Sequence, residues 1–208
     1  MTISDARGIW IKLDGVTRAE DAVAAVDAGA SAVGMIFAPS PRRVTVAQAK
    51  EIRDAIPNDV AAYGVFDDSA PREVGEVAEL LRLDGVQFPA PLVAGRFLPN
   101  AVAVLRTVLV RNVEDLTELE RLSCDAVHLD AFVEGKLGGT GVQAPWDVIE
   151  ANRPSVPFVI SGGLRPDNVA DAIARLRPAG VDVSSGIESE PGIKDADLMR
   201  AFVEAARS

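Results

Sequence analysis

The chain has one cysteine, Cys124, and one histidine, His128, among its 208 residues. A single cysteine excludes an internal disulfide framework and a cysteine-rich metal site. A single histidine excludes mechanisms built on two imidazoles, including a zinc site with several histidine ligands. Positive charge is also short. There are 21 Lys and Arg against 31 Asp and Glu, a net charge of −10, which argues against a nucleic-acid surface. No apolar run is long enough to cross a membrane, and the opening residues lack the basic, apolar and small-residue order of a secretory signal. The expectation is therefore a soluble cytoplasmic protein with neither membrane nor nucleic acid as partner. The rest, 48% hydrophobic and 25% charged, suits a globular chain, and one of this length buries roughly 70% of the surface its unfolded form exposes.

What is present is a rhythm of short apolar runs alternating with helical spacing. Runs at 9–13, 33–37, 60–66, 86–88, 102–110, 126–129, 158–161 and 181–184 read as eight strands. Between them, Ala22, Ala25, Val26 and Gly29, then residues 46–56, then Val74, Val77, Ala78 and Leu81, repeat with helical period. A weak helix is expected at 92–98 and a Glu- and Leu-rich helix at 113–122. Another carries Val169, Ala172, Ile173 and Leu176, and a closing helix carries Leu198, Ala201, Phe202 and Ala205. Strands apolar on both faces imply a parallel sheet covered by helices. Eight units in 208 residues leave about 26 residues for each, near the minimum for a βαβ unit. An open doubly wound sheet fits the same rhythm. The count of eight, and the lack of a dinucleotide fingerprint after strand one, favour a closed (β/α)8 TIM barrel, an α/β fold. With no linker, charge block or low-complexity stretch, residues 1–208 read as one domain.

In such a barrel chemistry collects where strands end and loops begin. Strand one ends in Asp14-Gly15, strand two leads to Ser40-Pro41-Arg42, and strand six ends in Asp130. A loop Gly138-Gly139-Thr140-Gly141 follows strand six. Strand seven ends in Ser161-Gly162-Gly163, and strand eight carries Asp182, then Ser184-Ser185-Gly186. Glycines let main-chain N–H groups approach a ligand and serines add donors. Gly162 and Gly163 with Ser184, Ser185 and Gly186 thus read as a phosphate cradle, helped by a short extra helix near 188–192. Each alone reads equally well as a tight turn. Asp14 and Asp130 are carboxylates on opposite sides of the mouth, able to divide acid and base roles if their environments part their pKa values. Thr17 is the expected cap of the helix starting near Arg18, which frees Asp14. Arg42 could grip a carboxylate bidentately, or be a solvated loop arginine like its neighbour Arg43. His128 shares the parity of Asp130 one layer lower and reads as a hydrogen-bonded core histidine. Cys124 reads as a small buried residue.

These segments together resemble phosphoribosylanthranilate isomerase, over roughly residues 10 to 205. The carrying stretches are Lys12 to Thr17, Phe37 to Val44, Leu129-Asp130, Gly138 to Gly141, Ile160 to Leu164, and Gly180 to Glu188 with Pro191 to Asp195. The resemblance implies an Amadori rearrangement in tryptophan biosynthesis: a general acid protonates the ribose ring oxygen and a general base removes the C2' proton. It implies Asp130 as the acid, Arg42 as the partner of the anthranilate carboxylate, and Gly163, Ser185 and Gly186 in phosphate loops. It also puts Asp182 near the substrate, and it calls for no metal or organic cofactor. The family's usual base is a cysteine in a Lys-Ile-Cys-Gly segment; this chain has Asp14 there, a carboxylate already ionised at neutral pH and similar to the strand-one aspartate of the histidine-pathway isomerase. The family also tends to carry Leu-His-Gly after strand four, where this chain reads Phe88-Pro89-Ala90. The Asp14 departure leaves open a dual or altered specificity that includes the histidine-pathway intermediate, and a non-catalytic phosphosugar-binding barrel. The acidic surface favours a monomer over a homodimer.

Overall fold

The computed structural model describes residues 3, 8–67, 71–89, 98–99, 101–134 and 141–208. Eight parallel strands close into a barrel in chain order. They are β1 (Trp10–Leu13), β2 (Ala32–Ile36), β3 (Ala61–Val65), β4 (Gly85–Pro89), β5 (Ala103–Val110), β6 (Ala126–Ala131), β7 (Phe158–Ile160) and β8 (Gly180–Val183). The ring closes by pairing β1 with β8, Lys12 opposite Asp182 and Leu13 opposite Val183. Six α-helices flank it among the described residues: α1 (Ala19–Ala28), α2 (Val46–Asp54), α3 (Pro71–Leu80), α4 (Trp146–Ala151), α5 (Val169–Leu176) and α6 (Ala196–Ala206).

The two-residue period of each strand divides the core into two clusters. Ile11, Leu13, Val33, Met35, Leu129 and Val181 face outward and meet the buried stripes of the helices, including Ile52, Val74, Leu176 and Phe202. Trp10, Ala32, Ala61, Tyr63, Leu105 and Val159 face inward and fill the lower barrel. Trp10 and Tyr63 meet edge to face, their ring centroids 5.5 Å apart. Two glycines make room for them: a Cβ on Gly85 would overlap the Tyr63 ring, and one on Gly180 would stand 2.7 Å from Trp10 Cε3. The result is an apolar floor beneath the mouth.

The structure corrects several local expectations. Residues 113–122 form two short 3-10 turns, Val113–Leu116 and Leu119–Arg121, because Thr117 is extended and Glu118 turns left-handed at φ 61°. Helix α4 has no counterpart in the sequence reading. The expected extra helix at 188–192 is a hairpin of β9 (Glu188–Glu190) and β10 (Ile193–Lys194), preceded by a 3-10 turn at Ser185–Ile187. Thr17 does not cap α1. The cap position is Arg18, and Thr17 Oγ1 donates instead to the Gly192 carbonyl at 2.6 Å, tying the hairpin to the β1 loop. Cys124 is half-buried, not buried, and burial pushes its thiol pKa up. The expected helix at 92–98 lies almost wholly outside the described residues, as do Ala90 and Gly138 to Thr140. No helix among the described residues is long and apolar enough to cross a membrane.

Candidate active site

Above the apolar floor the inward positions turn polar. Lys12 is fully buried. Its ammonium donates to Gln87 Oε1 at 2.8 Å and to Asp182 Oδ2 at 3.1 Å. It also pairs with Asp14 Oδ1 at 3.1 Å. Asp182 Oδ2 is shared with His128 Nε2 at 2.7 Å, while His128 Nδ1 lies 3.4 Å from both Gln87 Nε2 and Thr107 Oγ1. Burial alone would lower the Lys12 pKa, but Asp14 and Asp182 outweigh it and raise it. Burial would raise the Asp182 pKa, but Lys12 and His128 hold it below the usual carboxylate value. A charge removed from water persists only when paired in this way.

A cavity of about 570 Å³ opens over this layer, and Asp14, Asp130, Asp182, His128, Gln87 and Thr107 all line it. Asp14 sits just beyond β1, where its N–H still donates to the Val183 carbonyl at 2.8 Å. Its carboxylate occupies space left by Gly34 of β2, since a Cβ there would overlap Asp14 Oδ1. Asp130, the fifth residue of β6, stands on the far side. Its Oδ1 accepts from Ala131 N at 2.7 Å, and a Cβ on Gly162 would come within 2.8 Å of the same oxygen. Burial dominates the environment of Asp130 and pushes its pKa up, toward the protonated form. The two carboxylates thus share one cavity, and one of them is biased to hold a proton.

The β7 and β8 loops form another wall. Gly162 and Gly163 have φ of 83° and 64°, a region glycine enters without steric cost. Asn168 pins this turn by donating to the Gly163 carbonyl at 2.9 Å and accepting from Arg165 N at 2.8 Å. Ser184 and Ser185 line the cavity with Gly141. Gly186 stands behind that lining, where a Cβ would overlap the Leu164 carbonyl oxygen; it lets the two loops close together. Opposite, Ile36, Ala38, Pro39, Pro41 and Phe66 make an apolar corner, backed by stacking of Phe37 on Phe66 with ring centroids 4.9 Å apart. Arg42 is buried and Arg43 exposed, and of the two Arg42 lines the cavity.

Sequence reasoning missed Lys12, Gln87 and Thr107 as members of the site. A lysine between Ile11 and Leu13 in an apolar strand was the available signal, since an unpaired buried lysine is rare. Among the described residues no group of three or more His, Cys, Asp or Glu is gathered as a metal would need.

The closed barrel, with its cavity at the ends of the strands, defines a (β/α)8-barrel enzyme acting on a small molecule at its mouth. The family model for N-(5'-phosphoribosyl)anthranilate isomerase matches residues 11–205. An N-(5'-phosphoribosyl)anthranilate isomerase from Rubrobacter xylanophilus is 43% identical over 203 residues, covering 95% of this chain and 98% of its own. The solved phosphoribosyl anthranilate isomerase of Thermotoga maritima is similar with a TM-score of 0.85 at 35% identity, over 96% of this chain and 98% of that one. A further solved phosphoribosyl anthranilate isomerase, in complex with reduced 1-(o-carboxyphenylamino)-1-deoxyribulose 5-phosphate, matches with a TM-score of 0.81 at 34% identity, over 96% and 98% of the two chains. The chain belongs to the N-(5'-phosphoribosyl)anthranilate isomerase family.

Proposed function

We propose that this chain catalyses the Amadori rearrangement of N-(5'-phosphoribosyl)anthranilate to 1-(2-carboxyphenylamino)-1-deoxyribulose 5-phosphate, a step of tryptophan biosynthesis. The observation that carries this reading is the extent of the family match. Residues 11–205 include every residue around the cavity, from Asp14 to Ser185.

Asp130 gives its proton to the ribose ring oxygen as the C1'–O bond breaks and the anthranilate nitrogen lone pair forms a C=N bond. Its raised pKa supports this role. Asp14 then takes the proton from C2', the freed electron pair forms the C1'=C2' enol and the C=N pair returns to the anthranilate nitrogen; the place of Asp14 on the cavity wall supports it as the base. Addition of a proton at C1' and its loss from the enol hydroxyl give the ketone. Lys12, itself paired with Asp182, holds Asp14 from below. The phosphate lies against the main chain of Gly162 and Gly163 and the Ser184-Ser185-Gly186 turn, the aromatic ring in the apolar corner, and its carboxylate on Arg42. These steps are proton transfers and need no metal or organic cofactor. On this reading the enzyme works in the cytoplasm as a monomer, supported by the net charge of −10 and by exposed apolar side chains dispersed over separate elements, such as Val23, Leu80 and Phe132.

Mixing the protein with fluorescent N-(5'-phosphoribosyl)anthranilate is expected to abolish the substrate's fluorescence, and the gene is expected to rescue a tryptophan auxotroph. Fluorescence that persists, with or without binding, overturns the proposal. Gly186→Ala tests the phosphate wall. The added methyl overlaps the Leu164 carbonyl, and such overpacking costs about 1–3 kcal/mol. KM and the inhibition constant of inorganic phosphate should therefore rise together by about ten- to hundredfold, with steady-state kinetics as the measurement.

A further inference from the structure

Arg42 meets the cavity with half of its guanidinium already taken. Its Nε and Nη2 donate to Glu188 Oε1 and Oε2, each at 2.7 Å, a side-on bidentate pair across 146 positions of sequence. Glu188 is itself fixed. Lys194 Nζ donates to its Oε1 at 2.8 Å, and Gly192 N does so at 3.3 Å. Its side chain is 5% exposed. Burial alone would raise the Glu188 pKa, but Arg42 and Lys194 hold it below the usual value. Lys194 continues to the Ser184 carbonyl at 3.0 Å. The Arg42 stem is confined as well: a Cβ on Gly15 would stand 2.6 Å from Arg42 Cδ and 2.7 Å from Ser184 Oγ.

A guanidinium has five N–H donors in a rigid fork. Glu188 uses one on Nε and one on Nη2. Both Nη1 donors and the second Nη2 donor remain; one Nη1 donor and that Nη2 donor form the end-on edge, which can take a second carboxylate bidentately.

We propose that Glu188 is a positioning residue for substrate recognition: by occupying the side-on edge of Arg42, it turns the end-on edge toward the cavity to receive the carboxylate of an aromatic acid. The β9–β10 hairpin is the strap that carries this carboxylate to Arg42. The inference rests on the proposed function only in taking Arg42 as the partner of the substrate carboxylate.

The test compares Glu188→Gln with wild type and with Thr17→Val, which removes another of the hairpin's ties, the one at Gly192, and leaves Glu188 in place. Misorienting a hydrogen bond to a charged group is worth about ten- to hundredfold. Glu188→Gln should raise KM and the inhibition constant of anthranilate by that factor, with kcat and the inhibition constant of inorganic phosphate within about threefold of wild type. Thr17→Val should leave all four constants near wild type. Unchanged KM and anthranilate inhibition in Glu188→Gln overturn the proposal. So does an equal rise for phosphate, or the same change in Thr17→Val, since either would make Glu188 a brace of the hairpin alone. An inactive wild-type protein would instead remove the proposed function, which keeps the two failures apart.

Discussion

Asp130→Asn is expected to lower kcat by about 10²- to 10⁴-fold, the usual contribution of a positioned general acid or base. Asparagine keeps the shape of the side chain, and its carbonyl oxygen can still accept from Ala131 N, so the fold and KM should change little. What disappears is the transferable proton. Asp14→Asn should have an effect of the same order through loss of the base, because an amide has no basic oxygen to receive the C2' proton. Turnover within about threefold of wild type in either variant would remove that residue from the mechanism. The pH dependence adds a separate sign. The folded-state pKa of Asp130 is raised by burial, so the folded protein binds this proton more tightly than the unfolded chain. The group therefore costs stability as pH rises through the window between its unfolded and folded values. Asp130→Asn removes that cost, and denaturant titration at neutral pH should show it at least as stable as wild type while nearly inactive. Wild-type turnover, in turn, should fall as pH rises through the raised value and the acid loses its proton.

Lys12→Met is expected to be the most destabilising single substitution of the site, by about 3–5 kcal/mol at neutral pH, the cost of breaking a buried ion pair from one side. Lys12 is fully buried and is the cation that faces both Asp14 and Asp182. Methionine fills much of the same volume and leaves Asp14 and Asp182 without the cation they share. The depressed pKa of Asp182 gives the direction with pH. In wild type this group contributes stability above its unfolded pKa and loses it as pH falls through the folded value. In Lys12→Met that contribution is gone, so the gap between variant and wild type should narrow as pH falls. Urea unfolding at two pH values measures it. The double variant Lys12→Met with Asp182→Asn should recover part of the loss. A deficit below about 1 kcal/mol, or one that widens on acidification, contradicts the account.

Much of this architecture was legible from periodicity. The shared parity of His128 and Asp130 places both on the inward face, where they line the cavity, and the count of eight apolar runs matches the closed barrel. Local signals failed where no period could speak. Residues 113–122 have helical composition, yet the left-handed Glu118 interrupts them. Helix α4 spans only Trp146–Ala151, too short to show a repeat. At the site, residues that stand at strand ends, Asp14, Asp130, Gly162 and Ser184, could be read one at a time. Lys12 with Asp182 and Arg42 with Glu188 could not, because these pairs lie 170 and 146 positions apart. Nothing in either segment announces the other; only barrel closure and the hairpin bring them together.

The apolar floor gives the barrel the topology of a cup, not of a pipe. Trp10, Tyr63, Leu105 and Val159 close its lower end, so among the described residues the Lys12, Asp182 and His128 layer faces the cavity at the mouth and not the floor. On the proposed mechanism, a hydrogen isotope that Asp14 lifts from the substrate would therefore leave by the mouth and not through the floor.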